Sequence, residues 1–312
     1  MGRRVVPRNR NKRSGFVGRL VKTVLAERPE LSGRRIHAPP QGQQSAVVFI
    51  GDEVFKAPAC DALLPTLRRE IRILTHLQGK MSAPIPAVTY VGQKAHFYGM
   101  KKMTGTRLSR ELATSLSTAE REGLAFDLAQ FMLEMSSAFV GNDIELLALR
   151  TYSPSPFIKV LTGCISDPAV RAVLGSALLG LAEMVALKLS SASLPYGGRG
   201  VVCHGDLLNE NLLFDTRRGR LSGILDFALT DICPPEIDVL KLGNMPQVLL
   251  NSLAHNYQAG GGQPIDVGLA VALRCAIRIC DLPLQIKDQT LKPYLDQALM
   301  ELHYIRDEYE RF

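Results

Sequence analysis

The stretch Val201–Asp215, VVCHGDLLNENLLFD, and its continuation Leu221–Phe227, LSGILDF, decide how the rest of the chain is read. They describe a strand, a short polar loop, a strand, a turn, and a third strand ending in an acid. The apolar runs Val201-Val202-Cys203, Leu212-Leu213-Phe214 and Ile224-Leu225 bury themselves and hold the loop between them rigid. On that frame stand His204, Asp206, Asn211 and Asp226. An acid, an amide five residues later and a second acid on the next strand form a set suited to binding a magnesium nucleotide and positioning a hydroxyl. Asp206 is placed to accept the hydroxyl proton, while Asn211 and Asp226 offer the hard oxygen ligands that Mg²⁺ prefers.

HGDxxxxN followed by an apolar-Asp-Phe strand resembles the aminoglycoside phosphotransferase and choline kinase group, small-molecule relatives of the protein kinases. HGD stands where protein kinases carry H-R-D-x-x-x-x-N, and the apolar-Asp-Phe segment where they carry D-F-G. Pro235 and Asp238 in CPPEIDVLKL fall at the family's DPxxDLA segment. The resemblance implies a two-lobed, protein-kinase-like α+β fold: a small antiparallel sheet with one helix, then a larger, mainly helical lobe. The lobes are expected over 39–103 (N-lobe) and 104–312 (C-lobe), after an extension over 1–38 that its own composition marks as basic and flexible. The resemblance further implies Asp206 as catalytic base, Asn211 and Asp226 as metal ligands, and His204 and Asp238 as structural supports of the loop. Two departures stand out: Pro234 occupies a position that is often acidic, and LAQFMLEMSSAF lacks the histidine of the family's LxxLH segment.

Upstream, Ser45–Ile50 and Glu53–Ala57 are apolar strands joined by Gly51-Asp52, a two-residue hairpin signal. The segment Gln41-Gly42-Gln43-Gln44-Ser45 takes the place of a phosphate-covering loop, with Ser45 as its contact residue, although it has a single glycine. No Walker A pattern occurs, which argues against a P-loop enzyme. Lys56 ends the second strand, and Glu70 follows fourteen residues later on a helix with the apolar stripe Leu67, Ile71, Leu74 and Leu77. That order suggests an ion pair holding Lys56 on the nucleotide phosphates. A strand over Ala95–Met103 then leads to the lobe crossing at Thr104-Gly105-Thr106, with a backbone group near Met103 expected against the purine. Beyond it, Ser117-Thr118-Ala119-Glu120 opens a long helix, Tyr152–Thr162 reads as an irregular connection, and Asp167-Pro168 opens a second long helix to about Ser190.

The chain has 312 residues, 46% of them hydrophobic, and a net charge of +7. Residues 1–35 hold 11 Lys or Arg against Glu27 and Glu30, a local charge of +9, so the remaining chain carries −2. The first sixteen residues read as a disordered basic tail able to touch nucleic acid or anionic lipid, followed by an amphipathic helix over Phe16–Ala26. The nearest approach to a membrane span, Val173–Leu194, is interrupted by Glu183 and Lys188. Six cysteines without CxxC pairs argue against zinc and disulfides and for a reducing, cytoplasmic setting. Carboxylates after Asp238 (Asp266, Asp281, Asp288, Asp296, Glu301, Asp307, Glu308, Glu310) suit a cationic acceptor. The expected activity is transfer of the γ-phosphoryl group of ATP or GTP, with Mg²⁺, to a hydroxyl of a small molecule, foremost an aminoglycoside or another amino-containing sugar or alcohol. A protein kinase, or a non-catalytic protein binding through its basic tail, are the alternatives.

Overall fold

Gly51 and Asp52 turn the chain back on itself, and the two strands they join form the middle of the first sheet. A computed structural model describes residues 10–39, 45–151, 155–191 and 200–309. Strands β1 (Ile36–His37), β2 (Ser45–Ile50), β3 (Glu53–Pro58), β4 (Val88–Val91) and β5 (Tyr98–Lys101) form a sheet of order β1-β2-β3-β5-β4, antiparallel throughout. Ala46, Val48 and Ile50 of β2 alternate inward, as period-two patterning requires. In β3, by contrast, every residue from Val54 to Pro58 is buried, because both faces of this central strand are covered.

Helix α1 (Arg10–Glu27) covers one of those faces. Leu20, Val24 and Leu31 pack with Val48, Ile50, Phe55 and Phe97 in a core of their own, while Arg19 and Lys22 point to solvent. Glu27 accepts hydrogen bonds from the Tyr90 hydroxyl and the Gln93 amide, both at 2.9 Å, and Arg28 pairs with Glu53 at 3.2 Å. The expected extension over 1–38 is corrected here. Residues 10–37 form a layer of the sheet, since without them the apolar back of β2 and β3 would face water. The first nine residues and the 41–44 segment lie outside the described residues.

The other face meets α2 (Leu64–Leu77), whose stripe Leu67, Ile71, Leu74 and Leu77 enters the main core. That core runs on through Tyr98 into the second part of the molecule, so α2 packs with both lobes. The chain crosses over at Thr104 and Gly105. Gly105 has φ 143°, and a Cβ there would lie 2.3 Å from Ser222 Oγ, a side chain that itself donates to Thr104 O at 2.9 Å.

Beyond the crossing come β6 (Thr106–Arg107), α3 (Arg110–Ser115), α4 (Thr118–Ser137) and α5 (Asp143–Leu146). Ser117 and Glu120 close the expected capping box at the start of α4. The connection expected to be irregular instead contains α6 (Ser155–Ser166): Pro156 falls in its first turn, where the missing N–H is no loss. Helix α7 (Pro168–Ser191) follows. It is long and apolar enough to cross a membrane by length and composition, yet Val170, Leu174, Leu178, Leu181, Val185 and Leu189 are buried in the main core. Strand β7 (Val201–Cys203) pairs with β10 (Asp231–Cys233), and β8 (Leu212–Asp215) with β9 (Arg220–Ile224) and β6. Helices α8 (Glu236–Lys241), α9 (Gln247–Ala259), α10 (Val267–Lys287) and α11 (Lys292–Tyr309) complete the second lobe.

The packing of α1 has a direct consequence for stability. Leu20→Ala should cost about 2–4 kcal/mol in denaturant unfolding, and deleting residues 1–27 should lower the midpoint further. A loosely attached extension would come off with no change in the midpoint.

Candidate active site

The short polar loop between β7 and β8 is built around a buried carboxylate on α8. Asp238 is 1% exposed and accepts from the backbone amides of His204 (2.9 Å) and Gly205 (2.8 Å). Burial pushes the Asp238 carboxyl above its usual range, against the pull of His204 and of those two amides. Gly205 takes φ 77°, and a Cβ there would fall 2.2 Å from Leu229 O, so only glycine lets the loop lie against the segment after β9. His204 is fully buried, with its ring edge-on to Phe227 at 4.6 Å and Phe131 at 6.0 Å. Its Nδ1 accepts from the Asp206 amide at 3.2 Å, and burial lowers its pKa, which favours the neutral ring. In this position His204 shapes the loop from beneath.

The loop presents Asp206 at its tip. The Asn211 side-chain amide donates to Asp206 O at 2.9 Å, with Asp206 Oδ2 at 3.5 Å, and Leu225 N donates to Asn211 O at 2.8 Å. These bonds tie the end of β9 to the loop. Asp226 then takes φ 68° and ψ 71°, an uncommon left-handed conformation for a residue other than glycine. Its carboxylate reaches Lys56 Nζ at 3.0 Å, across the cleft from β3. Enclosure by protein opposes ionisation of Asp226, whose side chain is nevertheless 41% exposed; Lys56 outweighs that effect and holds its pKa below the usual range.

Lys56 meets Glu70 of α2 at 2.8 Å on its other side. Desolvation works against the Lys56 ammonium, but Glu70, Tyr98 and Asp226 together keep its pKa well above the ordinary value. Ser45, Pro58 and Ala228 line the same cleft as Lys56, Glu70 and Asp226. Met103 follows β5 at the lobe crossing, its Cε 3.0 Å from where a Cβ on Gly223 would sit, so its side chain lies over β9. Ser45, Lys56, Glu70 and Asp226 therefore line one cleft, while His204, Asp206, Asn211 and Asp238 build the loop tied to Leu225, and Met103 lies at the lobe crossing.

Three further residues join them. Tyr98, opposite Lys56 in the β3–β5 pairing and fully buried, lies near Glu70 and lowers its pKa against the effect of burial. Arg69, buried on α2, donates to Asp231 Oδ1 at 2.8 Å and to Ala228 O at 2.9 Å, clamping α2 to the segment that follows Asp226. Lys241, the last residue of α8, places its ammonium 3.1 Å from Asp206 Oδ1. Its spacing of three from Asp238 in EIDVLK puts both on one helical face, a signal available in the sequence. No local pattern announces the long-range partners of Tyr98 and Arg69.

Four carboxylates of the C-terminal region have structural partners. Glu301 is buried between Arg274 and Arg278, Asp266 caps α10 and faces Lys188, Asp288 caps the turn after α10, and Asp307 pairs with Arg306.

No curated protein sequence matches this one. A model of the phosphotransferase enzyme family matches residues 35–272. Similar solved structures include the GDP and kanamycin complex of APH(2")-IIia, with 21% identity, a TM-score of 0.76, and coverage of 91% of this chain and 98% of that one. The streptomycin-ATP-APH(2")-IIa ternary complex matches with 18% identity and a TM-score of 0.64, over 90% and 97% of the two chains. A macrolide 2'-phosphotransferase from Brachybacterium faecium matches with 18% identity and a TM-score of 0.63, over 89% and 97%. At such identities the likeness shows a shared kinase-like fold, and the family model spans about three quarters of the sequence. This chain belongs to the phosphotransferase enzyme family.

Proposed function

We propose that this protein transfers the γ-phosphoryl group of ATP or GTP to a hydroxyl of a small molecule, with Asp206 as the catalytic base. The observation that supports this most is the two-sided hold on Lys56, between Glu70 at 2.8 Å and Asp226 at 3.0 Å. That network puts a cation and a carboxylate together at the mouth of the cleft, where nucleotide phosphates need both a lysine and a metal ligand.

A divalent cation fits the donor set. Asn211 and Asp226 offer hard oxygens, and the Asn211 amide nitrogen is already committed to Asp206 O, which leaves its oxygen for another partner. Bound there, Mg²⁺ supplies neutralisation of the phosphate charge. Lys56 neutralises the donor phosphates from the N-lobe side. Asp206 takes the proton of the acceptor hydroxyl as its oxygen bonds to the γ-phosphorus. The bond from that phosphorus to the bridging oxygen breaks, and the nucleoside diphosphate leaves with the electron pair. Relatives crystallised with GDP and with ATP support either donor. Kanamycin and streptomycin in those complexes support an amino-containing sugar or alcohol as the acceptor.

Nucleoside diphosphate release, followed with Mg-ATP and Mg-GTP across aminoglycosides, macrolides, choline and amino sugars, tests this reading. Acceptor-dependent release should fall about 10²–10⁴-fold in Asp206→Ala and be abolished in Asp226→Ala. Wild-type protein that binds neither nucleotide with Mg²⁺ would sink the proposal. Lys56→Met should weaken nucleotide binding and lower kcat together, and Glu70→Gln, which keeps the shape but not the charge, should lower kcat/KM by about tenfold. Unchanged kinetics in both variants would remove the ion pair from the mechanism.

A further inference from the structure

Each of the two carboxylates read above as catalytic base and metal ligand holds a lysine. Lys56 approaches from β3 and touches Asp226, on the side of the donor phosphates. Lys241 approaches from α8 and touches Asp206, on the side where an acceptor hydroxyl must sit to reach its base. Neither lysine is a loose surface charge: the Lys56 side chain is 10% exposed and that of Lys241 is 19% exposed. The backbone of Lys241 is also held. Asp238, one turn earlier on α8, is bonded to the His204 and Gly205 amides, so the helix and the loop move as one body.

This arrangement has a geometric consequence. A hydroxyl poised for deprotonation lies about 3 Å from the Asp206 carboxylate, and the phosphorus it attacks lies just beyond. An ammonium 3.1 Å from the same carboxylate is thereby within a rotamer change of the oxygens on the transferring group. Lysine suits that movement, because its charge sits on a flexible four-carbon stem. The transferring group spreads negative charge over three oxygens, and a cation on the donor side alone neutralises it from one direction.

We propose, on the basis of the phosphotransferase reading above, that Lys241 is a catalytic residue. Its ammonium rests on Asp206 and contacts the transferring phosphoryl group from the acceptor side. A positioning role is the competing account, in which Lys241 only fixes the Asp206 rotamer.

The test uses the full chain and a phosphoryl mimic, so it does not depend on knowing the acceptor. Affinity for Mg-ADP and Mg-GDP is measured by titration calorimetry with and without aluminium fluoride, for wild type, Lys241→Met, Lys241→Gln and Lys241→Arg. Thermal unfolding is recorded beside it to show that each variant is folded. Fluoride should tighten diphosphate binding in the wild type. Both neutral variants should keep the diphosphate affinity but lose at least about tenfold of the tightening, and Lys241→Arg should regain part of it. The same pair of titrations in an Asp206→Asn background separates the two accounts: direct contact predicts a further loss on adding Lys241→Met. No further loss there, or full tightening in the neutral variants, or no tightening in the wild type, overturns the assignment of Lys241 while leaving nucleotide binding intact. Failure of the wild type to bind either diphosphate overturns the phosphotransferase reading itself, and the role of Lys241 with it.

Discussion

A lysine buried in a β-sheet must be answered by negative charge, and the way Lys56 is answered organises this molecule. Desolvation alone would drive its ammonium toward the neutral form. Glu70 and Asp226 prevent this, and they come from α2 and from the end of β9. The requirement therefore fixes the distance between the N-lobe sheet, the helix beside it and the C-lobe hairpin. Tyr98 backs Glu70, and Arg69 fastens the same helix to Ala228 and Asp231, so α2 is anchored on both sides of the cleft. A buried pair is a poor source of net stability, but breaking one partner is costly. Its value here lies in holding a charge at a defined place.

A second buried acid does the corresponding work beneath the loop between β7 and β8. Asp238 takes the amides of His204 and Gly205, which the turn leaves without strand partners. Gly205 meets Leu229 O too closely for any side chain, and the neutral ring of His204 fills the space below. The loop is thus specified by backbone satisfaction and close packing. Because Asp238 and Lys241 share α8, the helix that shapes the loop also delivers a charge to its tip.

Charge across the rest of the chain is distributed by packing as well. The basic N-terminal region contributes α1, with Leu20 and Val24 inward and Arg19 and Lys22 outward. In the C-terminal helices, Glu301 answers Arg274 and Arg278, and Asp266 caps a helix. A count of carboxylates along a sequence does not distinguish those that cap helices and pair with arginine from those that face a ligand.

Much of the local organisation follows from the sequence alone. Period-two alternation placed β2, helical spacing placed the stripe of α2, and Ser117 with Glu120 placed the start of α4, because each of these signals is carried by neighbours a few residues apart. The order of Lys56, Glu70, Asp206, Asn211 and Asp226 was also legible, and it marked one set of residue types suited to phosphoryl transfer. Other features required the folded chain. The α1 layer was read as an extension because an apolar stripe reports that a helix is covered, not what it covers. Pairing of Lys56 with Asp226 spans 170 residues, that of Arg69 with Asp231 spans 162, and that of Lys241 with Asp206 spans 35. Such contacts depend on how whole elements pack and on the desolvation that packing imposes. Neither quantity is written in the residues on either side of each charge.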